Sequence, residues 1–140
     1  MKILLAVDGS EYTRRMLSFV TTHKDWFGEA SHCTVFYGVL AVPHRAAAFA
    51  GPDLVHAYYN DDATAVLDPV RDFLAGHGIE AKYVHEVGHP AAAIAKLAED
   101  GQFDLVVVGS HGHGAFRNLV LGSVATKVLA SCSVPVLVVR

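Results

Sequence analysis

The chain predicts an α/β domain, a parallel sheet with helices on both faces, and three observations carry that prediction. Apolar runs that read as strands alternate with helical stripes from one end of the sequence to the other. Residues 2 to 7, 34 to 40, 105 to 108 and 134 to 139 are continuously apolar rather than alternating, which suits strands covered on both sides. The length of 140 residues fits a single domain able to bury a core without disulfides or metals.

Taken in order, Lys-Ile-Leu-Leu-Ala-Val at 2 to 7 is the first strand. Ser10 then stands at a helix cap and Glu11 in its first turn. Tyr12, Met16, Phe19, Val20, His23 and Phe27 recur at spacings of three and four, the apolar stripe of that first helix. Trp26 reads as a packing residue at its end. After the second strand, residues 41 to 56 are mostly small and apolar around Pro43, Gly51 and Pro52, and are expected to form a surface loop over a pocket. A second stripe runs through Tyr59, Ala63, Val66, Leu67, Val70, Phe73 and Leu74 to Gly76 and Gly78, with a kink or break expected at Pro69.

Residues 79 to 87 alternate in polarity, as an edge strand would. Pro90 suits the first turn of a third helix carrying Ile94, Leu97 and Ala98 and stopped by Gly101. The fourth helix opens at Gly122-Ser123 and carries Val124, Val128 and Leu129. Strands joined in this way by helices imply right-handed crossovers.

Composition narrows the function. The chain is 52% hydrophobic and 18% charged, with 11 basic and 14 acidic residues, so a nucleic-acid footprint is not expected. Its apolar stretches fall far short of the roughly 20 residues needed to span a bilayer, and Met1-Lys2 leads directly into a strand. We therefore expect a soluble, cytoplasmic protein. Cys33 and Cys132 lack a CxxC spacing and read as reduced, buried thiols at strand edges.

The chemistry concentrates between Gly109 and Ser123. Gly109-Ser110-His111-Gly112 leaves the end of the 105 to 108 strand, and nine residues later Gly122-Ser123 opens a helix. Glycines let backbone N–H groups approach an anion, and the first N–H groups of a helix lack intrahelical partners. In open parallel sheets such a cradle lies where the strand order reverses, which would make Asp8-Gly9-Ser10 its neighbour. There is no Gly-Lys dipeptide, hence no P-loop, and no GxGxxG after the first strand. Asp8 suits hydroxyls or a phosphate-bound Mg²⁺, or caps the first helix. Ser123 suits a phosphate or caps the fourth helix.

Nine histidines raise the question of metal binding, but His85, His89, His111 and His113 form no recognised zinc spacing. His89 precedes a proline and can sit extended, though it caps a helix poorly.

Ala6-Val7-Asp8-Gly9-Ser10-Glu11, Val87-Gly88-His89-Pro90-Ala91, the 109 to 123 motif and Val134-Pro135-Val136-Leu137-Val138-Val139 together resemble the universal stress protein family across the whole chain. The resemblance implies a Rossmann-like, five-stranded parallel sheet ordered 3-2-1-4-5 in one domain of residues 1–140, and an ATP-binding, stress-responsive homodimer paired through strand 134–139. It implies that Gly109, Gly112, Gly122 and Ser123 meet the phosphates, helped by Ser110, His111 and Val124. Asp8 would serve the ribose and a nucleotide-bound Mg²⁺, Ala6 and Val7 would line the base pocket, and Val39 would offer backbone groups to adenine. His113 and His89 depart from the basic residue and the Asp or Asn that the family often has at those positions. Arg117 is a candidate to replace the missing charge. Two rival functions remain open at this point: a slow Mg²⁺-dependent ATPase, and a nucleotide-independent dimeric interaction module.

Overall fold

The computed structural model describes residues 1–27, 31–114 and 118–140. Its strands are β1 (Lys2–Val7), β2 (His32–Val39), β3 (Ala81–Val87), β4 (Leu105–Gly109) and β5 (Val136–Val139). They form one sheet in the order β3-β2-β1-β4-β5, with every neighbouring pair parallel. The helices are α1 (Glu11–Thr22), α2 (Lys24–Phe27), α3 (His44–Ala50), α4 (Pro52–Gly76), α5 (Pro90–Asp100) and α6 (Ser123–Ser131).

The period-two geometry of a strand explains why β1 is apolar at nearly every position. Ile3, Leu5 and Val7 enter one core with Met16, Leu17 and Val20 of α1 and Ala63, Leu67, Val70 and Leu74 of α4. Leu4 enters the other, with Ala91, Ile94 and Ala98 of α5 and Ala125 and Val128 of α6. A strand between two cores has no polar face to spare. β3 lies at the sheet edge with most of its residues exposed or half-buried, as its alternating sequence predicts.

The chain proceeds outward from β1 through β2 to β3 and then returns to the far side of β1 for β4. The reversal sits between β1 and β4, where Ala6 pairs with Val108. A crevice opens beyond their carboxyl ends.

The structure corrects several expectations. Residues 41 to 56 are not a loop: they form α3 and the start of α4, because Ala46, Ala47 and Ala48 favour a helix and Pro52 suits a first helical position. Gly51 turns between the two helices at φ +85°. α4 is not broken at Pro69, since Ala63 and Leu67 before it and Val70 and Leu74 after it are all packed into the core. Burial there outweighs one lost backbone hydrogen bond. On α6 the buried residues are Ala125 and Val128, while Val124 and Leu129 face outward. Ala125 has little bulk to hold the helix off the sheet.

Trp26 touches Phe19 and His23 by ring contacts but is 67% exposed. Ser10 occupies the N-cap of α1, as expected, without a side-chain capping bond, and its own N–H donates to Asp8 Oδ1. Cys33 is buried, Cys132 is half-buried, and both are free thiols. Among the described residues no helix is long and apolar enough to cross a membrane.

Candidate functional site

Asp8 ends β1 and organises the turn that follows. Its Oδ1 accepts the Ser10 N–H and the Thr13 hydroxyl, both at 2.9 Å, and the Asp8 N–H donates to Thr13 Oγ1 at 2.9 Å. One carboxylate oxygen is thus spent on the start of α1. The other, Oδ2, faces the 109–123 motif: a Cβ on Gly112 would come within 2.6 Å of it.

None of Gly109, Gly112 and Gly122 takes a positive φ, so they serve close approach rather than an unusual turn. A Cβ on Gly109 would lie 2.9 Å from Tyr12 Cβ, and one on Gly122 would lie 3.0 Å from His111 Cα. The motif is glycine-rich because the ends of β1, β4 and α6 converge on the same few ångströms. Gly122 also donates its N–H to the Ser110 carbonyl at 2.7 Å, which closes the motif on itself.

Two histidines hold this loop. His111 Nε2 lies 2.8 Å from the Leu119 carbonyl and Nδ1 lies 2.9 Å from Ser110 Oγ. A carbonyl only accepts, so Nε2 carries a proton and the ring spans the loop as a strut. His113 Nε2 likewise donates to the Asp8 carbonyl at 2.8 Å, pinning the loop to the end of β1. Arg117 lies outside the described residues.

The first turn of α6 is left open. Its first intrahelical bond is Thr126 N–H to the Gly122 carbonyl, and no side chain caps the helix. The N–H groups of Ser123, Val124 and Ala125 therefore have no partner among the described residues.

These elements enclose a cavity of about 590 Å³. Ala6, Val7, Asp8, Gly109, His111, Gly112, Gly122, Ser123 and Val124 all line it. Two predicted residues stand behind the wall. Ser110 is 1% exposed and occupied with His111, whereas Val39 is wholly buried and its carbonyl accepts the Gly88 N–H at 2.9 Å. Leu40, one residue later, forms the rim instead.

The wall also contains residues that the sequence reading did not single out for the site. Thr13 and Tyr37 contribute hydroxyls, and Lys127 a cation. The Tyr37 hydroxyl donates to Asp62 Oδ2 at 2.7 Å, and burial together with that carboxylate pushes its pKa well above the ordinary tyrosine range. Lys127 follows Ser123 by four residues, a spacing that places both on one side of a helix and would have identified it. His89, read earlier for its effect on stability, lies on the wall beside Pro90. As expected of a residue before proline it is extended, at φ −88° and ψ 110°, and it makes no side-chain cap. A second hollow of about 620 Å³ between α5 and α6 shares His89, Pro90, Val124 and Lys127 with the first.

The sequence profile of the Universal stress protein family matches residues 1–140. The chain belongs to that family. It is 28% identical over 150 aligned residues to the universal stress protein YxiE of Bacillus subtilis, covering 99% of this chain and 98% of YxiE. Its match to Slr1230 of Synechocystis is 42% identical over 66 residues, 47% of this chain and 22% of that longer protein. Among solved structures, MJ0577 of Methanocaldococcus jannaschii superposes with a TM-score of 0.84 at 28% identity, covering 99% of this chain and 94% of MJ0577. A universal stress protein from Archaeoglobus fulgidus in complex with dAMP has the same fold, with a TM-score of 0.69, 22% identity and coverage of 100% and 98%. Relatives holding AMP, from Arabidopsis thaliana, and cAMP share it at 0.71 each, with 14% and 22% identity.

Proposed function

We propose that this universal stress protein domain holds an adenine nucleotide, with ATP and Mg²⁺ as the full ligand, in the cavity at the carboxyl ends of β1 and β4. The observation that carries the reading is the uncapped first turn of α6, which presents three unpartnered N–H groups directly after the Gly122 approach. Such a turn favours an anion through its N–H groups and the helix dipole together. The cavity volume falls within the range of about 300–1,000 Å³ usual for small-molecule sites. Relatives of the same fold that hold AMP, dAMP and cAMP support the ligand class.

Each residue has a chemical role in this reading. Ser123 and Val124 meet phosphate oxygens through N–H groups, and the Ser123 hydroxyl adds a further donor. Gly109, Gly112 and Gly122 keep side chains out of the ligand's path. Asp8 Oδ2, which no described group engages, suits a ribose hydroxyl or a phosphate-bound Mg²⁺, a hard cation that prefers oxygen. Ala6 and Val7 border the base, with Leu40 at the rim taking the contact expected of Val39.

Holding is favoured over cleaving. His111 spends both ring nitrogens on the loop, Nε2–H on the Leu119 carbonyl and Nδ1 on Ser110 Oγ, and His113 holds its Nε2–H on the Asp8 carbonyl, so both rings serve as struts. Nucleotide-dependent change in this cradle would make the domain a sensor or regulator in the stress response. β5 is the second edge of the sheet and is half-buried throughout, so antiparallel pairing of residues 134–139 with a second copy would cover it.

Isothermal calorimetry of the purified domain with ATP, with and without Mg²⁺, tests the reading. Binding near one nucleotide per chain is expected, and absence of binding by folded protein overturns it. Light scattering at micromolar concentration is expected to report a dimer.

A further inference from the structure

We infer that Lys127 makes this site select for the length of the ligand's phosphate chain, favouring a nucleoside triphosphate over a monophosphate. The inference rests on the nucleotide reading above and adds a residue that reading does not use. Lys127 is the only lysine or arginine among the described residues that line the cavity, and Asp8 is the only carboxylate. The phosphate-facing wall therefore draws its fixed positive charge from one side chain.

Position decides which phosphate that charge reaches. Lys127 sits one helical turn beyond Ser123, about 6 Å further along the α6 axis. Helical side chains lean toward the N-terminus, so the Lys127 stem runs back over the turn that carries Ser123 and Val124. A first phosphate seated on the open N–H groups of α6 needs no lysine. A second or third phosphate adds negative charge that those N–H groups leave unmet and that the ammonium answers.

The ammonium is also free to act. The salt bridges of the described residues are Arg15–Glu11, Arg71–Asp68 and Lys96–Asp100, and Lys127 is in none of them. Its helix, Ser-Val-Ala-Thr-Lys-Val-Leu-Ala-Ser, contains no acidic residue, so no neighbour at three or four positions neutralises it. Lys127 faces both the nucleotide cavity and the hollow between α5 and α6, which leaves the long stem room to follow the phosphate chain.

The test titrates wild type, Lys127→Ala and Lys127→Arg with AMP and with ATP by calorimetry, at two salt concentrations. Wild type is expected to prefer ATP. Lys127→Ala is expected to lose about five- to tenfold in ATP affinity, between the worth of an exposed ion pair and that of a hydrogen bond to a charged group, and less than twofold for AMP. Lys127→Arg is expected to keep the preference, and the salt dependence of ATP binding is expected to be shallower in Lys127→Ala than in wild type. If Lys127→Ala weakens AMP and ATP equally, or neither, while wild type binds both, the inference about Lys127 fails and the nucleotide site stands. If folded wild type binds neither nucleotide, both fail.

Discussion

On the β4–α6 side of the cavity the glycines allow close approach: Gly122 lies against the His111 backbone, Gly112 against the Asp8 carboxylate, and two histidine rings lock the loop to its neighbours. On the β2 side, where Tyr37 and Leu40 line the cavity, α3 and α4 stand outside its described lining, and α4 is tied to the chain at and after β2 through long side chains. Tyr59 receives the Val42 N–H at 2.9 Å and Tyr37 donates to Asp62, while α3 buries no residue at all and Phe49 is 95% exposed. The first wall is tight at Gly109, Gly112 and Gly122, where an added Cβ would meet a neighbour at 2.6–3.0 Å. The tethers at Tyr37 and Tyr59 are ends of flexible groups, although Gly38 of β2 is as tight as the first wall, a Cβ there lying 2.9 Å from Pro90 Cα. In the proposed reading, phosphate bound by backbone geometry gains from rigidity on the first side, whereas an apolar base needs only surface on the second.

The sharpest way to break this contrast is Gly112→Val. Its Cβ would fall on Asp8 Oδ2, and overpacking of that kind costs about 1–3 kcal/mol, so nucleotide affinity is expected to drop by up to about a hundredfold. Calorimetry measures the loss, and circular dichroism is expected to show the fold retained. Unchanged affinity would mean that the rigid wall is not the phosphate wall.

Next in size is Asp8→Ala. Removing the acceptor for the Ser10 N–H and the Thr13 hydroxyl is expected to lower stability in urea by about 1–2 kcal/mol and to remove any Mg²⁺ enhancement of ATP binding. If stability fell while the Mg²⁺ effect persisted, Asp8 would be a cap and no more.

Tyr37→Phe probes the softer wall and is expected to cost about 1 kcal/mol through its lost hydrogen bond. The pH dependence has a definite sign. Because the folded pKa of Tyr37 is raised, its contribution is complete below the ordinary tyrosine value of about 10 and declines as pH rises toward the higher folded value. Alkaline denaturation of wild type is therefore expected to be steeper than that of Tyr37→Phe.

The smallest effect is expected from Phe49→Ser on α3, within about 0.5 kcal/mol of wild type in thermal unfolding. A cost above 2 kcal/mol would show that α3 is packed in the protein as it exists in solution, and the contrast between the walls would weaken.

Much of this was legible before any coordinates. The strand–helix alternation, the buried strands and the edge position of residues 79 to 87 follow from hydrophobic period, a signal each segment carries within itself. The glycine spacing from 109 to 123 marked the cradle for the same reason, since close approach excludes side chains at those positions. What misled was local chemistry that tertiary contacts override. Pro69 signals a break, yet burial on both sides carries α4 through it. Pro43, Gly51 and Pro52 signal a loop, yet they bound two helices. Val124 and Leu129 suggest a core stripe, yet the sheet takes Ala125 and Val128.

By itself, then, the sequence determined the parallel α/β architecture, the strand that would be exposed and the glycine-lined place where an anion could approach, because hydrophobic period and the absence of a Cβ are properties of the chain at each point. Only the tertiary structure decided that one Asp8 oxygen serves α1 and the other faces Gly112, that His111 and His113 are struts, that Val39 lies behind Leu40, and that Lys127 shares a cavity with Asp8. Those relations join residues as many as 119 positions apart, from Asp8 to Lys127, and no local propensity encodes which groups an open sheet and its crossovers will bring to one cavity.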